Sequence, residues 1–271
     1  MSRQLTVKIL GSGCSTGVPR IDGYWGVCDP ANPKNRRSRC SAWLGVCDTA
    51  IPENVTSVVI DTAPEFREQM IRADVRAIDA IMWTHDHADQ THGIDDMRAF
   101  TFTRGGPIDG YMDEATKETL YRRFGYVFTG LMGYPPICRD HVIPPHGTPW
   151  TIVGAGGAMP IVTFAQDHGP IQSVGYRVGD VAYSSDISAI PEASYHALQG
   201  LKLWVVDAMR HKPHPTHSHL AQTLAWVERF KPEHTVLTNL HQEMDYEVLR
   251  SQLPPGVEPA YDQMELSVSL D

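Results

Sequence analysis

The sequence predicts an α/β (α+β) protein built of stacked sheets with helices on the outside. Three observations predict it. Short apolar runs of strand length alternate with helix-length stretches in both halves of the chain. No low-complexity segment or Ser/Gly-rich linker separates the halves. With 271 residues, 42% of them hydrophobic and 20% charged, the chain is long enough to bury one extensive core. A single domain spanning residues 1–271 is expected.

Strands are expected at residues 5–10, 40–46, 55–60, 80–83, 161–165, 173–178, 181–184, 201–206, 234–238 and 265–269, short runs rich in β-branched and other apolar residues. Helices are expected at 64–73, which carries Pro64 near its first turn, and at 113–124, 219–230 and 246–252. Residues 125–150 are rich in Gly, Pro and aromatics and predict a loop or flap. The aromatic and Met side chains in or beside it, Tyr111, Tyr126, Phe128, Met132, Tyr134 and Trp150, form either a lid against a base or sugar or a small core of the loop itself.

Composition excludes several function classes. No run of about 18 apolar residues occurs, and the first residues pass straight into the strand at 5–10 with no signal-peptide core, so a soluble, cytoplasmic protein is expected. Five scattered cysteines do not make a secreted disulfide framework. With 23 basic and 32 acidic side chains the net charge is −9, which works against non-specific grip on polynucleotide phosphates.

The 13 histidines carry the chemistry. The string Thr84-His85-Asp86-His87-Ala88-Asp89-Gln90-Thr91-His92 follows an apolar run and puts three His and two Asp in eight residues. Where a strand turns into a helix, His85, His87 and Asp89 can face one centre, and neutral nitrogens with an anionic oxygen suit Zn²⁺ or a similar ion. An exposed polar turn is the plainer reading of the same string. His168, Asp186 and His241 each follow another strand candidate and are the candidate remaining ligands.

In this order, Thr84 to Asp89, His168, Asp186 and His241 resemble the metallo-β-lactamase superfamily. Gly11-Ser12-Gly13-Cys14-Ser15-Thr16-Gly17-Val18-Pro19, Asn35 to Ser41 and Ile60-Asp61-Thr62-Ala63-Pro64-Glu65-Phe66-Arg67 resemble its PhnP-like cyclic phosphate phosphodiesterases, with ribonuclease Z enzymes more distant. The resemblance implies a four-layer αββα sandwich and two divalent metal ions, Zn or Mn, at one edge. It places His85, His87 and His168 on one ion, Asp89 and His241 on the other, and Asp186 between them. Two ions about 3.5–4 Å apart lower the pKa of a bridging water and stabilise an in-line displacement at phosphorus. Asp186 stands where true β-lactamases of this fold carry cysteine, which favours phosphodiester or thioester hydrolysis; thioesterase and lactamase activities rank last. Asp61 is implied to orient ligands or loops.

Two departures from the family pattern matter. Gln90 stands where most members have a second histidine, so the second ion is expected to be weaker, or completed by His92, three residues after Asp89; otherwise His92 lies at the surface or behind the ligands, and Gln90 bonds a metal-bound water. Only Cys28 lies between Gly17 and Lys34, so the structural zinc of PhnP-like enzymes is expected to be absent.

A second cluster, His211-Lys212-Pro213-His214-Pro215-Thr216-His217-Ser218-His219, precedes the helix at 219–230. His217 resembles the histidine that protonates the leaving group in the phosphodiesterase branch, with His219 as second choice. A solvated His-rich loop is the other reading. His217, Asp89 and Asp61 are thus the expected catalytic groups. Arg36 and Arg37, in the one dense basic segment, either hold a substrate phosphate, with His219, or pair with local acids.

Together these features predict a metal-dependent phosphodiesterase acting on small cyclic or nucleotide-like phosphodiesters. A tRNA-processing ribonuclease and a non-catalytic, single-metal nucleotide-binding module are the alternatives. No stable nucleic-acid polymer and no membrane is expected as a partner, and a homodimer is left open.

Overall fold

A computed structural model describes residues 2–270. The first half contributes strands β1 (Arg3–Gly11), β2 (Ser41–Asp48), β3 (Ile51–Ile60), β4 (Ala80–Met82), β5 (Ile108–Met112) and β6 (Cys138–Val142). Its helices are α1 (Phe66–Arg72), α2 (Ala88–Thr91), α3 (Arg98–Arg104) and α4 (Glu114–Thr129). The second half contributes β7 (Trp150–Gly154), β8 (Gly157–His168), β9 (Ile171–Val178), β10 (Val181–Ser184), β11 (Leu203–Asp207), β12 (His234–Thr238), β13 (Val257–Pro259) and β14 (Met264–Ser269), with helices α5 (Leu220–Phe230) and α6 (Tyr246–Gln252).

The strands form two seven-stranded sheets, in the orders β14-β1-β2-β3-β4-β5-β6 and β13-β12-β11-β10-β9-β8-β7. Each sheet is antiparallel in one part and parallel in the other: β3 to β6 run parallel in the first, β10 to β13 in the second. The last strand, β14, crosses back to the first sheet and pairs with β1, Gln4 opposite Ser269.

Side-chain alternation explains the layering. Along β3, Val58 and Ile60 enter a core between the sheets while Val59 faces outward to helices; along β11, Leu203 and Val205 point inward while Trp204 and Val206 point outward. The central cluster joins Leu5, Val7, Leu44 and Met82 of one sheet to Ile161, Val174, Tyr176 and Val236 of the other. A second cluster packs Phe66 and Met70 of α1 and Leu120 and Val127 of α4 on the first sheet; a third packs Leu220 and Phe230 of α5 and Leu249 of α6 on the second. Three apolar seams between four layers are an αββα sandwich, the architecture that the family resemblance implies. Each buried Leu, Val or Ile contributes about 1.5–3 kcal/mol. Among the described residues no helix is long and apolar enough to cross a membrane.

All ten predicted strands and four predicted helices form, three with the predicted bounds (181–184, 234–238 and 246–252) and the rest with shifted ends. Residues 125–150 depart from prediction. Gly125 to Thr129 finish α4, where Val127 and Phe128 are buried, and Gly130, at φ 72°, ends the helix with its N–H on the Tyr126 carbonyl. Residues 138–142 are β6, the edge of the first sheet. Phe128 stacks on Tyr121 with ring centroids 4.7 Å apart, and Tyr111 packs between His141 and Trp150, so most of these rings build core. The turn bearing Leu131, Met132 and Tyr134 keeps its apolar side chains exposed, as does Val142 on β6. Strand β5 escaped prediction because Asp109 and Gly110 together interrupt its apolar run. A Cβ there would come within 2.4 Å of the Cys138 sulfur and 2.7 Å of the Trp83 ring, so packing demands glycine in mid-strand.

Candidate metal centre

The chemistry-bearing side chains gather where strands end. Asp61 follows β3, His85 follows β4, His168 closes β8, Asp186 follows β10, Asp207 closes β11, and Asn239 and His241 follow β12. Asp61, Asp186 and Asn239 have φ of 63°, 53° and 60°, left-handed backbone that Asp and Asn tolerate better than other side chains. This turns each chain sharply off its sheet and aims its side chain across the edge.

Three imidazoles, of His85, His87 and His168, face one another with ring centroids 4.5, 4.9 and 5.0 Å apart. A nitrogen from each lies within 4.8 Å of the others, and His168, Asp186 and His217 form a second such group. Nε2 of His168 is 3.2 Å from Nδ1 of His87, an approach of two ring nitrogens that a shared cation stabilises. Nε2 of His85 is buried without a hydrogen-bond partner, although the ring is 1% exposed. An orphaned, buried nitrogen aimed at a cluster of nitrogens and a carboxylate is what a divalent metal ligand requires, and the donor set fits such an ion.

The groups behind these nitrogens fix them. The Asp61 carboxylate accepts the Thr84 N–H at 2.8 Å and the Thr84 hydroxyl at 2.9 Å, and that hydroxyl lies 3.0 Å from Nδ1 of His85. Asp61 thus positions His85 through Thr84, while burial pushes its own pKa well up. Nδ1 of His168 lies 2.6 Å from the Thr216 carbonyl oxygen, leaving Nε2 for the centre. Burial is also the first cause of the lowered pKa of His85 and His168, which keeps both rings neutral and able to ligate.

His217 is held differently. Its Nδ1 is 2.9 Å from Oδ2 of Asp207 and 3.8 Å from Oδ1 of Asp186. Asp207 is fully buried and also accepts the Ile187 N–H at 3.2 Å and the Asn239 amide at 3.4 Å. Burial lowers the His217 pKa, but Asp207, Asp186 and Asp89 outweigh it and raise it to about 9.

The other predicted residues are spread around this centre. Asp89 and Gln90 lie on α2; the Gln90 amide nitrogen donates to Asp186 at 3.1 Å and to Asp89 at 3.4 Å. Among the described residues His241 belongs to neither close ligand group, and its Nδ1 is buried without a partner. His92 is exposed and sets its ring edge-on to Phe124, 5.6 Å away. His219 caps α5 with no side-chain cap bond. Arg36 is exposed, over the Trp25 ring at 5.3 Å. Arg37 corrects the phosphate-binding expectation. It is 2% exposed, and its guanidinium donates to the carbonyls of Met244 at 2.7 Å and His241 at 3.4 Å and to Asn35 at 3.3 Å, so it braces loops.

Asp207, Thr84 and Asn239 were not singled out from the sequence. Asp207 had a usable signal: it is the polar residue that ends the strand run at 201–206, the same placement that selects His168, Asp186 and His241. Thr84 and Asn239 carry no signal apart from adjacency to a ligand and a strand end.

A fold of two packed sheets with His, His, His and Asp at its strand ends defines a class of metal-dependent hydrolase. The beta-lactamase superfamily domain matches residues 56–239, and the chain belongs to that superfamily. Within it, the chain is similar to a diphosphatase from the PhnP family, with 35% identity, coverage of 100% of this chain and 99% of that one, and a TM-score of 0.85. The short form of human tRNase Z shares the fold, with 15% identity, coverage of 96% and 98%, and a TM-score of 0.65. An octanoyltransferase of Porphyromonas gingivalis (strain ATCC BAA-308 / W83) is 27% identical over 262 residues, 95% of this chain and 50% of that protein. The chain spans about half the length of this curated relative.

Proposed function

We propose that the chain is a metal-dependent phosphodiesterase for small cyclic or nucleotide-like phosphodiesters, with His217 as the proton donor to the leaving oxygen. The observation that carries the reading is the Asp207–His217 pair, set 3.8 Å from Asp186 at the edge of the histidine cluster. His85, His87, His168 and Asp186 would hold a divalent ion, Zn²⁺ or Mn²⁺, and nitrogen-rich ligation favours Zn²⁺. When bound, such an ion supplies positive charge to a phosphoryl oxygen and acidifies water.

The chain's own groups supply the rest. Asp207 engages Nδ1 of His217, so Nε2 is the nitrogen left to give a proton. As water adds to phosphorus and the bond to the departing oxygen breaks, that proton neutralises an alkoxide that leaves poorly alone. Asp207 then stabilises the ring's orientation while it regains a proton from solvent. Asp61 acts one step removed, by holding Thr84 and through it His85.

Assay of bis(p-nitrophenyl) phosphate and 2′,3′-cyclic nucleotides with Zn²⁺ or Mn²⁺ tests the reading. Turnover of both is expected; none under either metal would sink it. A second substrate, a small diphosphate, is favoured by the 35% identical PhnP-family diphosphatase, and hydrolysis of diphosphates but not diesters would select it. Ribonuclease action on tRNA is less favoured, because the net charge of −9 opposes a polyanion. Saturable binding of precursor tRNA at physiological salt would reverse that judgement. Metal and nucleotide binding without turnover would select the non-catalytic, single-metal nucleotide-binding module.

A further inference from the structure

We infer that the centre is mononuclear: one divalent ion on His85, His87, His168 and Asp186, with the Gln90 amide filling the place of a second ion between Asp89 and Asp186. The inference rests on the metal-dependent reading above and concerns how many ions that reading needs.

The two halves of the centre are built unequally. On the first side, His85 and His168 each have the ring nitrogen away from the cluster engaged, by Thr84 at 3.0 Å and by the Thr216 carbonyl at 2.6 Å. Such partners fix the tautomer and the direction of a ligating imidazole. On the second side His241 stands, among the described residues, outside both close ligand groups. Its loop is fixed instead through the backbone, with the His241 N–H on the Met209 carbonyl at 2.9 Å and its carbonyl accepting from Arg37.

Gln90 takes up the remaining space. It is fully buried, and its amide nitrogen lies 3.1 Å from Oδ2 of Asp186 and 3.4 Å from Oδ2 of Asp89. These carboxylates repel each other when both are ionised, and something of positive polarity must join them. Two amide hydrogens do so at no net charge. An ion in the same gap would face those hydrogens, not a lone pair. Turning the amide over would set its oxygen against both carboxylates, an arrangement stable only with a cation present. The second position as built therefore does not fit a divalent ion.

The test is a count of ions. The full chain is stripped with chelator, dialysed against excess Zn²⁺ or Mn²⁺, desalted and analysed by elemental mass spectrometry, with thermal unfolding as the check on folding. One ion per chain is expected for the wild type, and still one for His241→Ala. Gln90→His is expected to approach two, as is the near-isosteric Gln90→Glu, which serves where the imidazole does not pack. Two ions in the wild type, loss of the ion in His241→Ala, or a folded Gln90→His and Gln90→Glu that both stay at one would overturn the inference. Two ions with turnover leave the metal-dependent reading standing; no ion and no turnover remove both.

Discussion

The two sheets contribute to the centre in different ways. The first supplies it from almost consecutive residues, Thr84, His85, His87, Asp89 and Gln90, as β4 passes into α2. The second supplies single residues from separate strand ends, His168, Asp186 and Asp207, plus His217 from the approach to α5. The packing beneath is alike. Trp83 in one sheet donates its indole N–H to Thr62, and Trp204 in the other donates to Ser184, each at 3.0 Å and fully buried. The difference teaches that equivalent scaffolds divide the work: a compact loop gathers donors, and dispersed strand ends aim the carboxylates and the proposed proton donor.

The sharpest way to break this division is to remove the ligand that links the sheets. His168→Ala should lose the stoichiometric ion and more than about 100-fold in turnover, a larger loss than that from residues that only support ligands. Metal analysis and steady-state kinetics on the same preparation would check it, and retention of the ion would show that the first sheet suffices.

Next comes the proposed proton donor. His217→Ala should lower kcat on cyclic nucleotides by about 10²–10⁴-fold, but much less on bis(p-nitrophenyl) phosphate, whose leaving group needs little protonation. The pH profile sharpens the point. A raised histidine pKa keeps the ring protonated below it, so activity should fall as pH rises through that value, at or below about 9. Asp207→Asn removes the largest raising influence and should move this alkaline limb towards the ordinary histidine range; an unmoved limb would detach it from His217.

A smaller effect is expected on the first sheet. Thr84→Val deletes the hydroxyl between Asp61 and His85 and should weaken metal affinity by about 10–100-fold with the fold intact, measured by competition with a chromophoric chelator. Unchanged affinity would mean that Asp61 serves the backbone alone. The smallest effect should come from the exposed turn. Met132 is 91% exposed with φ 50°, and Met132→Gly should leave turnover unchanged and shift stability by no more than about 0.5 kcal/mol, read from urea unfolding. A large loss of turnover would restore the lid reading of this turn.

The same asymmetry governs what the sequence made legible. The Thr84 to Asp89 string is local, so its spacing alone exposes it. His168 and Asp186 are visible only as polar residues closing apolar runs. Asp207 obeys that rule too but has no histidine or motif beside it, and its pairing with His217 is tertiary. The layers were legible from strand-length apolar runs, such as Val58-Val59-Ile60, alternating with helix-length stretches, whereas β5 and β6 were obscured by Gly110 and by the prolines before β6, residues chosen for packing and turning. Arg37 misled because a buried guanidinium that satisfies carbonyls reads, in one dimension, like an anion-binding one.

The pairing of β14 with β1 has a consequence for how this fold tolerates rearrangement. Gln4 and Ser269 are neighbours in one ladder, and the Leu270 N–H reaches the Arg3 carbonyl at 2.9 Å. Strand β1 runs from there towards Gly11, whose loop lies beside the one bearing His241, so the two described ends lie together at the rim remote from the metal ligands. A short peptide can join them without crossing the molecule. Circular permutants opened at the exposed 131–134 turn should therefore keep an assembled centre, as would a second polypeptide fused at either end.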